Sequence, residues 1–365
     1  MSIFTSIPAM MYHHVNREPE DSISITPEHF EEQIKYLAES GYRSLHLCEF
    51  FDRLKGWSIP DKLVLITFDD GYADNYLYAY PILKKYKMKA TIFPVTAFIK
   101  ERADKRPPER ISNFDLLMKT PFEKSGLDDF LSWEEMSEME GGGLVDIQAH
   151  CHTHAAYWEG DQVVSFYDGG VNTKIAWATD GDVRPGIPIY KSGPSLCVRR
   201  YFDDKSLRDR LAEYVESNGG RVFMAKPDAK SILMRIVKEH GRMNGRYETG
   251  KESDIRIMGE LLLTKELIEK RLKKNVDYIC WPWGSVDRPL MKRARRAGYI
   301  GGIGMKGGAN IRLTDVMDIH RFNPCKKDIP ALKQKLFKHS KLFYSLYNDK
   351  RLDDLLLNRR RFEDK

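Results

Sequence analysis

Long apolar runs are missing from this sequence. No stretch approaches the ~20 residues that a membrane-spanning helix needs, and the opening Met1-Ser2-Ile3-Phe4-Thr5-Ser6-Ile7-Pro8 has neither a basic start nor an apolar run of signal-peptide length. A chain neither secreted through such a signal nor transmembrane is expected. Cysteine is scarce as well: Cys48, Cys151, Cys197, Cys280 and Cys325 are scattered and show no Cys-x-x-Cys spacing. That excludes a disulfide framework and a cysteine zinc site, and fits reduced thiols in a cytoplasm. Blocks of one charge are lacking until the C-terminal end. With 59 Lys and Arg against 53 Asp and Glu, a net +6 is spread among interspersed signs, so no nucleic-acid footprint is present.

What is present is enough apolar material for a full core, 42% of 365 residues, and a pattern of alternating strands and helices. One large α/β domain with additions is expected. Residues 7–15 suit a short buried strand that delivers Tyr12, His13 and His14. Thr26-Pro27 opens a helix whose stripe is Phe30, Ile34, Leu37 and Ala38, ending at Gly41. Residues 42–45 predict a strand and 49–54 a short helix. A helix over 75–86 is interrupted at Pro81, and 90–95 predict the next strand. Ser132 and Glu135 make a capping-box pattern for a helix that stops at Gly141-Gly142-Gly143. Helices between strands imply a mostly parallel sheet.

Two strand ends carry the chemistry. The run 63–68 is nearly all apolar and stops at Asp69-Asp70-Gly71, as a buried strand does when it brings carboxylates to its C-terminal end. Neighbouring carboxylates on a strand point apart, so one can ligate a cation while the other stays available as a base. The run 144–154 ends in His150, His152 and His154. Three imidazoles in five residues are costly to bury as packing. On an extended segment that turns, His150 and His154 converge while His152 points elsewhere. Two imidazoles and a carboxylate, with water completing the shell, make a catalytic rather than a structural metal arrangement.

Phe68-Asp69-Asp70-Gly71-Tyr72, the His150/His154 pair and Trp281-Pro282-Trp283-Gly284 resemble the signature motifs of NodB-type polysaccharide deacetylases, metal-dependent amidases of N-acetylated sugars. The resemblance covers roughly 1–156 and 257–325. Tyr12-His13-His14-Val15, Phe30 and Gly41-Tyr42 look most like the circularly permuted branch that includes poly-N-acetylglucosamine deacetylases. It implies a distorted (β/α)7 barrel over 1–325, interrupted by an insertion at about 157–256, with a helical tail at 326–365. It also implies Asp70, His150 and His154 as metal ligands, Asp69 as the base and His13 as the acid. One divalent ion of zinc type is expected, with cobalt or nickel able to substitute.

The chemistry of amide hydrolysis agrees: a water must be activated, a carbonyl polarised and a leaving nitrogen protonated. Trp281 and Trp283 are read as a sugar wall, with the Trp283 N–H as oxyanion donor. His14, pointing away from His13 on an extended strand, is the internal control, and His320 is the reserve acid. Many relatives place an arginine in the third motif to steer the base. Trp281 stands there in this chain, so the partner that orients Asp69 is unidentified; Arg321 is a candidate, and a structural ion pair is the alternative role for an arginine on a late strand.

The insertion carries Lys191, Arg199 and Arg200 among aromatics, which suggests a cleft for an anionic or lipid-linked sugar. The tail 332–361 mixes leucines and aromatics with Lys and Arg, which suits either a docked helix or one on an acidic inner membrane face. Two functional classes stay open: an N-deacetylase of an amino-sugar glycan or its lipid-linked precursor, and a catalytically inactive carbohydrate-binding protein of the same fold. A phosphoester hydrolase is disfavoured, since two-metal sites carry more carboxylates than this.

Overall fold

A computed structural model describes residues 6–17, 23–56, 59–60, 62–103, 127–170, 172–324 and 328–340. They fall into two compact units, one drawn from 1–111, 128–151 and 263–365, the other from 112–127 and 152–262. The strands, in chain order, are β1 (Ala9–Tyr12), β2 (His14–Val15), β3 (Ser24–Ile25), β4 (Arg43–Leu45), β5 (Leu63–Asp70), β6 (Ala90–Pro94), β7 (Val145–Ile147), β8 (Ala156–Phe166), β9 (Pro188–Pro194), β10 (Tyr201–Phe202), β11 (Arg246–Tyr247), β12 (Tyr278–Cys280) and β13 (Gly301–Ile303).

In the first unit β5 is the centre. It pairs in parallel with β1, with β4 and with β6, in registers that set Tyr12 opposite Phe68 and Asp70 opposite Pro94. Strand β6 pairs with β7, and β12 with β13. Isolated parallel bridges join Ala149 to Ile279, Ile303 to Ile319 and Met10 to Phe322. Followed in order, these pairings return to β1. Residues 63–69 are buried throughout, which explains why β5 reads as one apolar run rather than an alternation.

Local signals place the helices. Thr26 Oγ1 accepts from the His29 N–H at 3.2 Å and Pro27 occupies the first turn of Pro27–Glu39. Ser132 and Glu135 form the capping box of Trp133–Gly141. The break expected near Pro81 is a π-helical stretch, Asn75–Ala79, that leads directly into the helix Tyr80–Tyr86.

The second unit has its own core. Strands β8 and β9 pair antiparallel, and Trp158, Tyr190 and Tyr201 pack together. Leu207, Leu211 and Val215 of the helix Lys205–Ser217 pack with Leu233 of the helix Ala229–His240. The three cations expected to line a cleft for an anionic or lipid-linked sugar each have a partner within this unit. Lys191 pairs with Glu159 at 2.6 Å, Arg199 donates to the Glu248 carbonyl and Arg200 holds Asp180 at 2.8 Å.

Of the tail, the helix Ile329–Ser340 buries Leu332, Leu336 and His339, and the His339 ring stacks on Phe322 at 4.6 Å. This part is a docked helix rather than a membrane-lying one. The rest of the expected membrane-surface helix, 341–361, and Cys325 lie outside the described residues. No described helix is long and apolar enough to cross a membrane.

Candidate functional site

The end of β5 turns sharply. Asp70 has φ +69° and Gly71 φ +75°, and a Cβ on Gly71 would stand 2.8 Å from the Pro94 Cα, so only glycine fits directly after the second carboxylate. Asp70, His150 and His154 each offer a ligand atom, and these atoms lie within 4.8 Å of one another. The His150 ring is oriented from behind: its Nδ1 stands 2.8 Å from the Cys280 carbonyl, which can only accept, so Nδ1 carries the proton and Nε2 faces Asp70 Oδ1 at 3.2 Å. Burial opposes a positive charge on His150, yet neighbouring Cys280 and Asp70 raise its pKa well above the ordinary value. The place therefore favours positive charge, and the donor set fits a divalent ion.

His152 stays outside this triad, as the spacing predicted. The N–H groups of His152 and Thr153 both donate to Glu260 Oε2 at 3.0 Å, and Thr153 Oγ1 donates to Glu260 Oε1 at 2.6 Å. Glu260 thereby fixes the turn in front of His154. No motif in the sequence marks it.

Asp69 meets Arg321. Nη1 donates to Oδ1 at 2.6 Å and Nη2 to Oδ2 at 2.8 Å, a fork-on-fork pair. Burial alone would raise the Asp69 pKa, but the Arg321 guanidinium holds it below the usual carboxylate range. The Asp69 carboxylate is ionised and cannot rotate freely. His13 Nε2 lies 3.8 Å from Asp69 Oδ2. Burial lowers the His13 pKa, outweighing the opposite pull of Asp69 and Asp70, so its imidazole rests neutral. His14 serves elsewhere: its Nδ1 is 2.7 Å from Asp74 Oδ2 and its ring stacks on Tyr72 at 3.5 Å. Asn75 Nδ2 donates to the His13 carbonyl at 2.7 Å and ties the end of β1 to the π-helical stretch.

The third motif divides its two tryptophans. Trp281 is buried and its Nε1 donates to the Met317 carbonyl at 2.7 Å. Its indole is core, which corrects the expectation that it lines a sugar wall. Trp283 is 41% exposed and has φ +58°. His320 donates its backbone N–H to Asn310 Oδ1 at 2.9 Å, one residue ahead of Arg321. Asp70, His154 and Trp283 are three of the seven described non-glycine residues at positive φ.

Comparison with known proteins bears out the resemblance read from the motifs. Residues 58–174 match the family model described as polysaccharide deacetylase. The poly-beta-1,6-N-acetyl-D-glucosamine N-deacetylase of Escherichia coli (strain K12) is 22% identical over 294 residues, 80% of this chain and 32% of that protein. The protein of the same name from Staphylococcus aureus (strain N315) is 34% identical over 129 residues, 35% of this chain and 37% of that one. The chain thus spans about a third of the length of these curated relatives. The deacetylase domain of BpsB from Bordetella bronchiseptica shares the α/β fold with a TM-score of 0.55 at 18% identity, over 88% of this chain and 98% of that one. IcaB from Ammonifex degensii does so with 0.54 at 18%, over 91% and 97%.

Proposed function

We propose that this chain is a metal-dependent carbohydrate N-deacetylase, which hydrolyses the N-acyl group, acetyl in the simplest case, of an amino sugar in a glycan. The observation that carries this is the juxtaposition at the end of β5: Asp70 faces two imidazoles while Asp69, beside it, is locked by Arg321. A binding protein has no need for an ionised carboxylate immobilised next to a cation site. The relatives' names point to poly-N-acetylglucosamine as the substrate class.

Asp70, His150 and His154 would hold the ion, with zinc the natural occupant of a set of two imidazoles and one carboxylate, and cobalt or nickel as substitutes. A bound divalent cation supplies the Lewis acidity that activates a water and polarises the amide carbonyl. Asp69 accepts the proton of the attacking water, and Arg321 keeps Asp69 from turning into the ligand set. His13, neutral at rest, becomes an acid only after taking a proton. Asp69, 3.8 Å away, is placed to supply it, and His13 then delivers it to the leaving nitrogen. The Trp283 N–H is assigned to the developing oxyanion.

The closed order of parallel pairings supports reading the first unit as a distorted (β/α)7 barrel over 1–325, interrupted at about 157–256, with the tail from 326. We extend the reading to a cytoplasmic setting on thiol chemistry, since Cys48 and Cys280 are free thiols and free thiols persist under reducing conditions. The test is to incubate the metal-loaded protein with polymeric and lipid-linked N-acetylated sugars and to assay released acetate. Sugar binding without any acetate release would favour the inactive binder.

A further inference from the structure

Arg321 has no exposed side-chain surface, so each of its five N–H donors needs a partner inside the protein. Nε donates to the Gly304 carbonyl at 2.8 Å. Nη1 donates to Thr67 Oγ1 at 2.9 Å and to Asp69 Oδ1 at 2.6 Å. Nη2 donates to Asp69 Oδ2 at 2.8 Å and to Cys280 Sγ at 3.1 Å. The count closes at five, and the fifth acceptor is a thiol.

Of the three neutral acceptors, the two side chains are each directed by their own proton. Thr67 Oγ1 donates to the Met10 carbonyl at 2.7 Å, which turns a lone pair toward Arg321. Cys280 Sγ lies 3.4 Å from Asp69 Oδ1; its S–H points at the carboxylate and its lone pair at the guanidinium. Sulfur is a weak acceptor. It caps the last N–H without competing with Asp69 for the guanidinium, as a carboxylate or amide oxygen at that point would. The same residue's carbonyl fixes the His150 tautomer. Cys280 therefore touches both halves of the site, through its side chain on the base and through its backbone on the ligand set.

We propose that Cys280 is a positioning residue for the Asp69 base: its thiol completes the donor count of Arg321 and so sets the fork against Asp69. This rests on the deacetylase reading for its kinetic part only. Because the carbonyl that holds His150 survives any side-chain change, the proposal separates two effects that a general packing defect would mix. Cys280→Ala leaves one guanidinium N–H buried without an acceptor and lets the fork shift. Cys280→Ser restores an acceptor of the same polarity sense at the same Cβ.

The experiment measures kcat, KM and metal stoichiometry for the wild type, Cys280→Ala and Cys280→Ser, together with a urea-unfolding double-mutant cycle between Cys280→Ala and Arg321→Met. Cys280→Ala should lower kcat about 10-fold to 100-fold, the equivalent of one hydrogen bond to a charged group. KM and bound metal should be unchanged, and Cys280→Ser should recover part of the loss. The cycle should be non-additive. Unchanged kcat, or a loss of activity that tracks loss of metal, would overturn the positioning role. Should the wild type release no acetate from any sugar, the deacetylase reading fails by itself, and the cycle still decides on Cys280: additive stabilities reject its bond to Arg321.

Discussion

The Arg321 guanidinium grips the Asp69 carboxylate through two parallel bonds across 252 residues of sequence. A charge pair without solvent is costly to make and far costlier to break, since removing one partner strands the other. Arg321→Met should therefore destabilise the protein by about 3–5 kcal/mol, read as a fall in the urea midpoint. The double variant Asp69→Asn/Arg321→Met should recover part of that loss. A double variant no more stable than Arg321→Met would show that Arg321 acts through its other contacts.

Asp69→Asn keeps the shape of the side chain but cannot take a proton from water. Turnover should drop by roughly 10²–10⁴-fold, with metal content preserved. Joint loss of metal and turnover would mean that the roles of Asp69 and Asp70 are exchanged.

The ligand set predicts one divalent ion per chain. His154→Ala leaves two donors of three and should abolish tight binding in elemental analysis, while His152→Ala should leave the stoichiometry intact. Full metal content in His154→Ala would rule out its role as a ligand.

His13→Ala should lower turnover with bound metal unchanged, because the proton taken up by Asp69 then has no carrier to the leaving nitrogen. His14→Ala should leave the rate nearly unchanged, since its ring bonds Asp74. Wild-type turnover in His13→Ala would place the acid elsewhere, with His320 the next residue to vary.

Stability of the second unit has its own pH dependence. Burial alone would raise the Asp204 pKa, but bonds from the Asn244 N–H, Ser206, His240 and the Leu207 N–H hold it well below the ordinary carboxylate value. A carboxyl depressed on folding stabilises fully above its unfolded pKa of about 3.9, and the contribution drains away as pH falls toward the folded value. Asp204→Ala, which also removes the N-cap of Lys205–Ser217, should cost about 1–3 kcal/mol at pH 7. The gap to wild type should narrow at pH 3, as followed by urea unfolding. A gap that widens on acidification would refute the sign.

What could be read from the chain alone was whatever is written locally. The Thr26 and Ser132 caps, the apolar run of β5 and the divergence of His152 from His150 and His154 depend on neighbours in sequence, and all were legible. Arg321 could be named only as one candidate partner for Asp69, because a side-chain contact across 252 residues leaves no local trace. Trp281 misled for the same reason. An indole beside an aromatic, proline-containing turn suits a wall or a core equally, and only the Met317 carbonyl decides. Cys280 and Glu260 carried no pattern, since one is a lone thiol in an apolar strand and the other one acid among many on a long helix.

The bridge between Met10 and Phe322 has a consequence for synthesis on the ribosome. Chains emerge N-terminus first, so β1 and β5 exist long before the segment that completes their circuit. Until Arg321 leaves the exit tunnel, the Asp69 carboxylate has no guanidinium to fix it. A chain cut ahead of Arg321 would remain in that condition, with the last strand of the circuit and the partner of Asp69 missing together.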